Sequence, residues 1–232
     1  MEFMALGHRG AMAYAPENTM KSFDLALNMG ANGLETDVRQ TKDGVLVLFH
    51  DEDMRRYGGR ERIVDLEFQQ LLSWDLGGGE SIVTLKDFLE KFGAMDLFLE
   101  IELKQRHIHM QVLELIKQYV KNLKKVAVTS FDFEILQDVR ELDSGITLAW
   151  LTYDLTEAEL ARLSPVGAAN IYPNAENITR DKVENAKVNG YIVRAWGVKD
   201  ERDMNHCLDC GVDGMTINFP DKLIKALSAN KN

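Results

Sequence analysis

A small set of side chains in this sequence has the types and spacings to do chemistry together. His8 and Arg9 stand side by side between glycines in GHRG, and His50 closes the apolar run VLVLFH. Glu35 and Asp37 lie in GLETDV, and Glu100, Glu102 and Lys104 lie in LFLEIELK. Side chains alternate along a strand, so Glu35 shares a face with Asp37, and Glu100 shares one with Glu102 and Lys104. Leu99, Ile101 and Leu103 take the opposite face. Carboxylates on an inner face are costly unless paired or bound to an ion, and convergent carboxylate oxygens suit a hard cation such as Mg²⁺ or Ca²⁺. For either strand alone, a structural ion-pair network or an exposed edge is the favoured reading. Two strands carrying the pattern favour the cation.

Imidazoles have an ordinary pKa of about 6.5, so His8 and His50 facing such a cluster could act as acid and base near neutral pH. Arg9 and Lys104 add donors for an anion, and the guanidinium fork matches phosphate oxygens. These are the components needed to cleave a phosphodiester. Other candidates carry less. His107 and His109 are two apart near a helix start and so do not share its face. Trp150 and Trp196 each end a strand, where they could floor a pocket or pack in the core. Ser130 has no evident base beside it. Cys207 and Cys210 form a lone C-x2-C without the second ligand pair that a structural zinc site needs, so packed thiols on a helix are expected.

The elements that must position these groups follow from periodicity. Short apolar runs alternate with stretches of helical period, as in a parallel sheet wrapped by helices. Strands are expected at 3–8, 33–38, 97–104, 126–131, 146–151, 168–172, 191–196 and 213–218. Helices are expected between them, including 84–92, 107–123, 132–142, 156–163, 179–189, 200–210 and 220–229. The first helix pattern, TMKSFDLALNMG, has Asn18 to cap its start and Gly30 its end. Eight strand–helix pairs in 232 residues predict an α/β fold, a (β/α)8 TIM barrel, for which roughly 250 residues is typical. The main competitor, an open doubly wound sheet, lacks a G-x-G-x-x-G after the first strand.

One segment, about 41–81, breaks the alternation. Its Asp43-Gly44 pair signals a tight turn, so VLVLFH should run back antiparallel and bring His50 level with the end of the second strand. The remainder is predicted to be a small insertion after the second strand on the catalytic face, within a single barrel domain spanning 1–232. With 27 basic and 37 acidic residues the formal charge is -10, which disfavours nucleic acid or anionic membrane as a partner. No basic n-region, signal-length apolar run or membrane-span pattern is evident. The expectation is a soluble cytoplasmic protein without stable membrane association.

These residues make the sequence similar to the glycerophosphodiester phosphodiesterase family, in its bacterial cytoplasmic form. The similarity runs through HRG at 8–10, PENT at 16–19, Phe23, E-x-D at 35–37, TKDG at 41–44, HD at 50–51, E-x-K at 102–104, SF at 130–131, Trp196 and the DG and TN.PD elements of 213–221. The resemblance implies that His8 and His50 are the acid–base pair. It also implies that Glu35, Asp37 and Glu102 bind one divalent cation, Mg²⁺ or Ca²⁺ with Mn²⁺ as a third option, and that Arg9 and Lys104 hold the phosphate. Trp196 is implied on the substrate side, and Glu100 is left deeper in the barrel. The implied reaction gives glycerol 3-phosphate and an alcohol from a small glycerophosphodiester, through attack of the glycerol 2-hydroxyl and a cyclic phosphate, in a monomer or homodimer. The chain departs from the family pattern with ETDV, RRYGGRER and WGVK along the substrate approach. A lysophospholipid-preferring phosphodiesterase of the lysophospholipase D type, and a catalytically silent barrel that binds a phosphometabolite, are the alternative readings.

Overall fold

The computed structural model describes residues 2–229. Its strands are β1 Met4–His8, β2 Gly33–Gln40, β3 Leu46–Leu48, β4 Phe98–Leu103, β5 Val126–Ser130, β6 Thr147–Thr152, β7 Asn170–Pro173, β8 Ile192–Val198 and β9 Gly214–Ile217. Its α-helices are α1 Met20–Asn28, α2 Phe68–Leu71, α3 Leu85–Phe92, α4 His109–Tyr119, α5 Phe133–Leu142, α6 Glu157–Leu163, α7 Arg180–Val188, α8 Glu201–Cys210 and α9 Pro220–Ala229. Every strand but β3 runs parallel to its neighbours, in the order β1-β9-β8-β7-β6-β5-β4-β2, and pairing of β1 with β2 closes the cylinder. This is the expected (β/α)8 TIM barrel.

The register decides which side chains meet. Asp37 is level with Glu102 and Glu35 with Glu100 across the β2–β4 pair, while His8 is level with Glu35 across β1–β2. Three adjacent strands therefore deliver the sequence candidates to one sector of the barrel mouth. Their other faces pack outward, where Leu34, Val38 and Ile101 are fully buried in the main apolar core. Between α1 and α3, Phe23 meets Phe88 and Phe92 edge-on, at centroid separations of 4.7 and 5.9 Å. Truncating any one of them would cost about 3–5 kcal/mol.

β3 hangs outside the barrel, antiparallel to the end of β2 with Val38 opposite Leu48. Gly44, at φ 85°, makes the reversal, and bridges at Val47–Thr84 and Asp53–Arg62 tie the segment down. Beneath it lies a separate apolar cluster that includes Phe49, Met54, Ile63 and Leu71. The insertion thus has a core of its own that fixes the height of His50.

Two local expectations differ from the structure. Thr19, not Asn18, caps α1, its side chain accepting from the Ser22 N–H. Asn18 instead adopts a left-handed φ of 55°, which turns its amide inward toward β2. The 107–123 helix shortens to α4 because His107 has a left-handed φ of 69° and Val120 is extended. Among the described residues no helix is long and apolar enough to cross a membrane.

Candidate active site

The site begins where β1 ends. Arg9 and Gly10 both take positive φ, 51° and 84°, so the chain turns sharply and passes against α1. A Cβ on Gly10 would lie 2.4 Å from the Ser22 backbone carbon, so only glycine fits this approach. The turn aims the Arg9 N–H at Glu35, whose Oε2 accepts at 2.9 Å. The Arg9 side chain reaches the other way, donating from Nη1 to Glu17 Oε1 at 3.0 Å and placing Nε 3.0 Å from Asp37 Oδ2.

Glu35, Asp37 and Glu102 are all buried and present carboxylate oxygens within 4.8 Å of one another. Oxygens bound to one hard cation at about 2.0–2.6 Å stand at most about 4–5 Å apart, so the spacing fits a single ion. Asp37 Oδ1 supports the same fit. It is buried, and its one close contact among the described residues is the ion pair with Lys104 Nζ at 3.1 Å. The second oxygen of Asp37 is held by Asn18 Nδ2 at 3.0 Å. Asn18 Oδ1 in turn accepts from the Thr36 hydroxyl at 2.8 Å, so the amide orientation is locked. Lys104 also sits 2.5 Å from Glu102 Oε1.

The electrostatics follow from crowding three acids beside two cations. Burial pushes the Glu35 carboxyl well up and Asp37 adds to it, outweighing Arg9. Burial and Asp37 likewise push Glu102 up to about 7, with Lys104 pulling back. Asp37 goes the other way: burial disfavours its charge, but Lys104 and Arg9 together hold it well below the usual carboxylate range. The cluster thus concentrates its negative charge on Asp37, and a bound cation would compete with protons at the other two positions.

Both histidines reach this cluster from its rim. His8 Nδ1 is 2.6 Å from Asn218 Oδ1, just beyond β9, while Nε2 is 3.9 Å from Glu35. His50 Nδ1 is 2.7 Å from Asp51 Oδ1. Burial lowers the pKa of both rings. Arg9 adds to this at His8, whereas Asp37 offsets part of it at both. The rings therefore rest neutral at neutral pH.

A cavity of about 150 Å³ joins His8, Arg9, Glu35, His50, Glu102 and Lys104. Its far wall is apolar: Phe131, Leu151 and Trp196, with Phe131 and Trp196 edge-on at 4.9 Å. Trp196 Nε1 donates to the Thr152 carbonyl at 2.9 Å, which fixes the indole. Trp150 faces the helices instead, against Phe133, and Ser130 donates to the Leu103 carbonyl; neither enters the cavity. Cys207 and Cys210 are buried free thiols on α8. Glu100 lies deeper and pairs with Arg194, both almost fully buried. A larger cavity of about 310 Å³ at the opposite end of the barrel shares Glu100 but holds neither histidine and none of the three clustered carboxylates.

The sequence matches the Glycerophosphoryl diester phosphodiesterase family over residues 8–222, nearly the whole described chain. The chain belongs to that family. This family member is 32% identical to the glycerophosphodiester phosphodiesterase of Caldanaerobacter subterraneus subsp. tengcongensis over 97% of both chains. It is 31% identical to that of Bacillus altitudinis over 94% of this chain and 95% of the other. Among solved structures it superposes with a TM-score of 0.88 on an Oleispira antarctica phosphodiesterase in complex with the product sn-glycerol-3-phosphate, at 26% identity and 96% coverage of each chain. The glycerophosphodiester phosphodiesterase of Thermotoga maritima superposes at 0.80, with 27% identity and coverage of 98% and 99%.

Sequence reasoning missed several groups that this family member brings to the site. Asn18 and Glu17 stood inside the PENT stretch and Asn218 inside TIN, but their partners lie elsewhere: Asp37 on β2 for Asn18, His8 on β1 for Asn218, and Arg9 with Arg56 of the insertion for Glu17. Arg194 sits in the apolar run YIVRAW, where a lone inward cation implies a buried acid opposite.

Proposed function

We propose that this protein is a metal-dependent phosphodiesterase that hydrolyses glycerophosphodiesters to glycerol 3-phosphate and an alcohol, with His8 and His50 as its acid–base pair. The observation that carries the reading is their convergence. One cavity of about 150 Å³ presents two imidazoles, two cationic side chains and the carboxylate pair Glu35 and Glu102, with Asp37 clustered beside them. Membership of the family and the glycerol phosphate bound to the Oleispira antarctica enzyme support it. The reading takes residues 1–232 as one working unit, with the insertion supplying His50.

Glu35, Asp37 and Glu102 would hold the divalent cation, Mg²⁺, Ca²⁺ or Mn²⁺, which supplies Lewis-acid stabilisation of the phosphoryl oxygens. Arg9 and Lys104 bind the diester phosphate and offset the charge that grows on its non-bridging oxygens. Both cations are engaged with Asp37 beforehand, so little reorganisation is needed when the anion arrives. Neutral imidazoles are ready to accept a proton from the nucleophile, and the incoming negative charge raises their affinity for one. One histidine then takes the proton of the attacking hydroxyl while the other, protonated from solvent as the anion binds, delivers its proton to the departing alcohol; the two exchange roles when water opens a cyclic phosphate. The apolar wall of Phe131, Leu151 and Trp196 packs the carbon skeleton of the substrate. The formal charge of -10 supports a small diffusing substrate over nucleic acid.

The test is release of the free alcohol head group from glycerophosphocholine, glycerophosphoethanolamine and a lysophospholipid by purified protein with each cation, with and without chelator; the co-product is glycerol phosphate from the first two and its acylated form from the third. Release that survives in either His8→Ala or His50→Ala would sink the mechanism. Preference for the acylated substrate would move the reading to the lysophospholipase D type.

A further inference from the structure

Between His50 and Arg9, on the two sides of the pocket, runs a chain of charges whose middle members, Asp51, Arg56 and Glu17, the proposed chemistry does not use. His50 Nδ1 lies 2.7 Å from Asp51 Oδ1, and the other oxygen of Asp51 lies 3.2 Å from Arg56 Nε. Arg56 Nη1 pairs with Glu17 Oε2, and Glu17 Oε1 accepts from Arg9 Nη1 at 3.0 Å. Glu17 belongs to the loop that follows β1, whereas Asp51 and Arg56 belong to the insertion. We propose that Arg56 is a positioning residue: by holding Asp51 and Glu17 at once it fixes the His50 ring relative to the Arg9 side of the pocket. The inference rests on the phosphodiesterase reading above.

The chemistry of each group supports it. A carboxylate bound to a histidine through one oxygen can still rotate, and the ring with it, unless the second oxygen is held. Here the holder is a guanidinium, whose planar fork offers separate edges, Nε to Asp51 and Nη1 to Glu17. A lysine, a single point charge on a flexible stem, could not span both carboxylates in one orientation. Glu17, its side chain only 11% exposed, lies between the two guanidiniums, which leaves it little freedom to turn away. Arg56 has a firm base of its own. It sits in a 3-10 turn, Arg55–Tyr57, closed by Gly58 at φ 90°. The turn follows the fully buried Met54, and Tyr57 packs on Phe49 at 5.7 Å. The Arg56 side chain itself remains 45% exposed, and exposed ion pairs add little to stability. Its removal should therefore show in turnover and leave the fold intact.

The experiment compares wild type, Arg56→Met, Arg56→Lys, Asp51→Asn and the Asp51→Asn/Arg56→Met double variant on glycerophosphocholine with saturating divalent cation, together with thermal midpoints. A misaimed catalytic group costs about 10–100-fold in rate, so Arg56→Met should lose at least about tenfold in kcat with its midpoint close to wild type. The double variant should be no slower than the worse single, because both changes act through one imidazole. Arg56→Lys should recover only part of the loss. Unchanged kcat in Arg56→Met, losses that multiply in the double variant, or full recovery in Arg56→Lys would each overturn the inference while leaving the function standing. Absence of turnover in wild type would remove both.

Discussion

His8 and Asn218 stand 210 positions apart in the chain, yet the His8 Nδ1 lies 2.6 Å from the Asn218 side-chain oxygen. The β1–β9 pairing that helps close the barrel brings them together. An amide oxygen can only accept, so Nδ1 carries the proton and Nε2, directed toward Glu35, keeps the lone pair. The closing seam of the barrel thereby selects the tautomer of a proposed acid–base group.

Replacing Asn218 with Leu keeps the bulk and removes the acceptor. The ring then loses its tautomer preference, and kcat should fall by about tenfold or more with little change in thermal midpoint. A steady-state comparison on glycerophosphocholine checks this; an unaltered kcat would mean that the contact does not orient His8.

On the proposed mechanism, losing either imidazole removes proton transfer in one direction. His8→Ala and His50→Ala should each lower kcat/KM by about 10²–10⁴-fold, measured by glycerol phosphate release. Circular dichroism should show an unchanged fold, since both rings line a cavity and neither belongs to the apolar core.

Cation binding should be visible without turnover. A divalent ion at 100 times its Kd would add about 2.7 kcal/mol to stability, or roughly 5–10 °C in thermal midpoint for a chain of this size. Chelator-treated wild type should show this rise on addition of Ca²⁺, Mg²⁺ or Mn²⁺. The Glu102→Gln variant, lacking one of the three clustered carboxylates, should show much less of it. Equal midpoints with and without every ion would rule out the cluster as a cation site.

Gly10→Ala tests the turn itself. The substitution forces a Cβ to 2.4 Å from the Ser22 backbone at φ 84°, a combination expected to cost on the order of 2–3 kcal/mol. The midpoint should drop by roughly 5–10 °C. Because Arg9 loses its aim at Glu35, activity at temperatures well below that midpoint should fall as well.

The parts of this site that were legible in the sequence are those governed by local rules. Alternation alone put Glu35 with Asp37 and Glu102 with Lys104, and the Asp43-Gly44 turn alone returned His50 to the mouth. Asn18 was misjudged because a polar residue before a helix is ordinarily a cap. Here the adjacent Thr19 caps the helix, leaving Asn18 free to enter the left-handed region and reach Asp37. Asn218 and Arg56 were invisible for a different reason: each acts on a residue brought near by strand closure or by the folding of the insertion, and no spacing in the chain encodes that distance.

Glu100 and Arg194, paired across the barrel axis, stand between the upper cavity and the one below. Passage straight through is thereby blocked, and the pocket works as a cul-de-sac. On the proposed reaction, substrate and products would share one doorway, so the alcohol nearest the rim would leave first and the phosphate-bearing fragment last. On the same reading that fragment would occupy Arg9 and Lys104 ahead of the next substrate, which would make it a brake on its own formation.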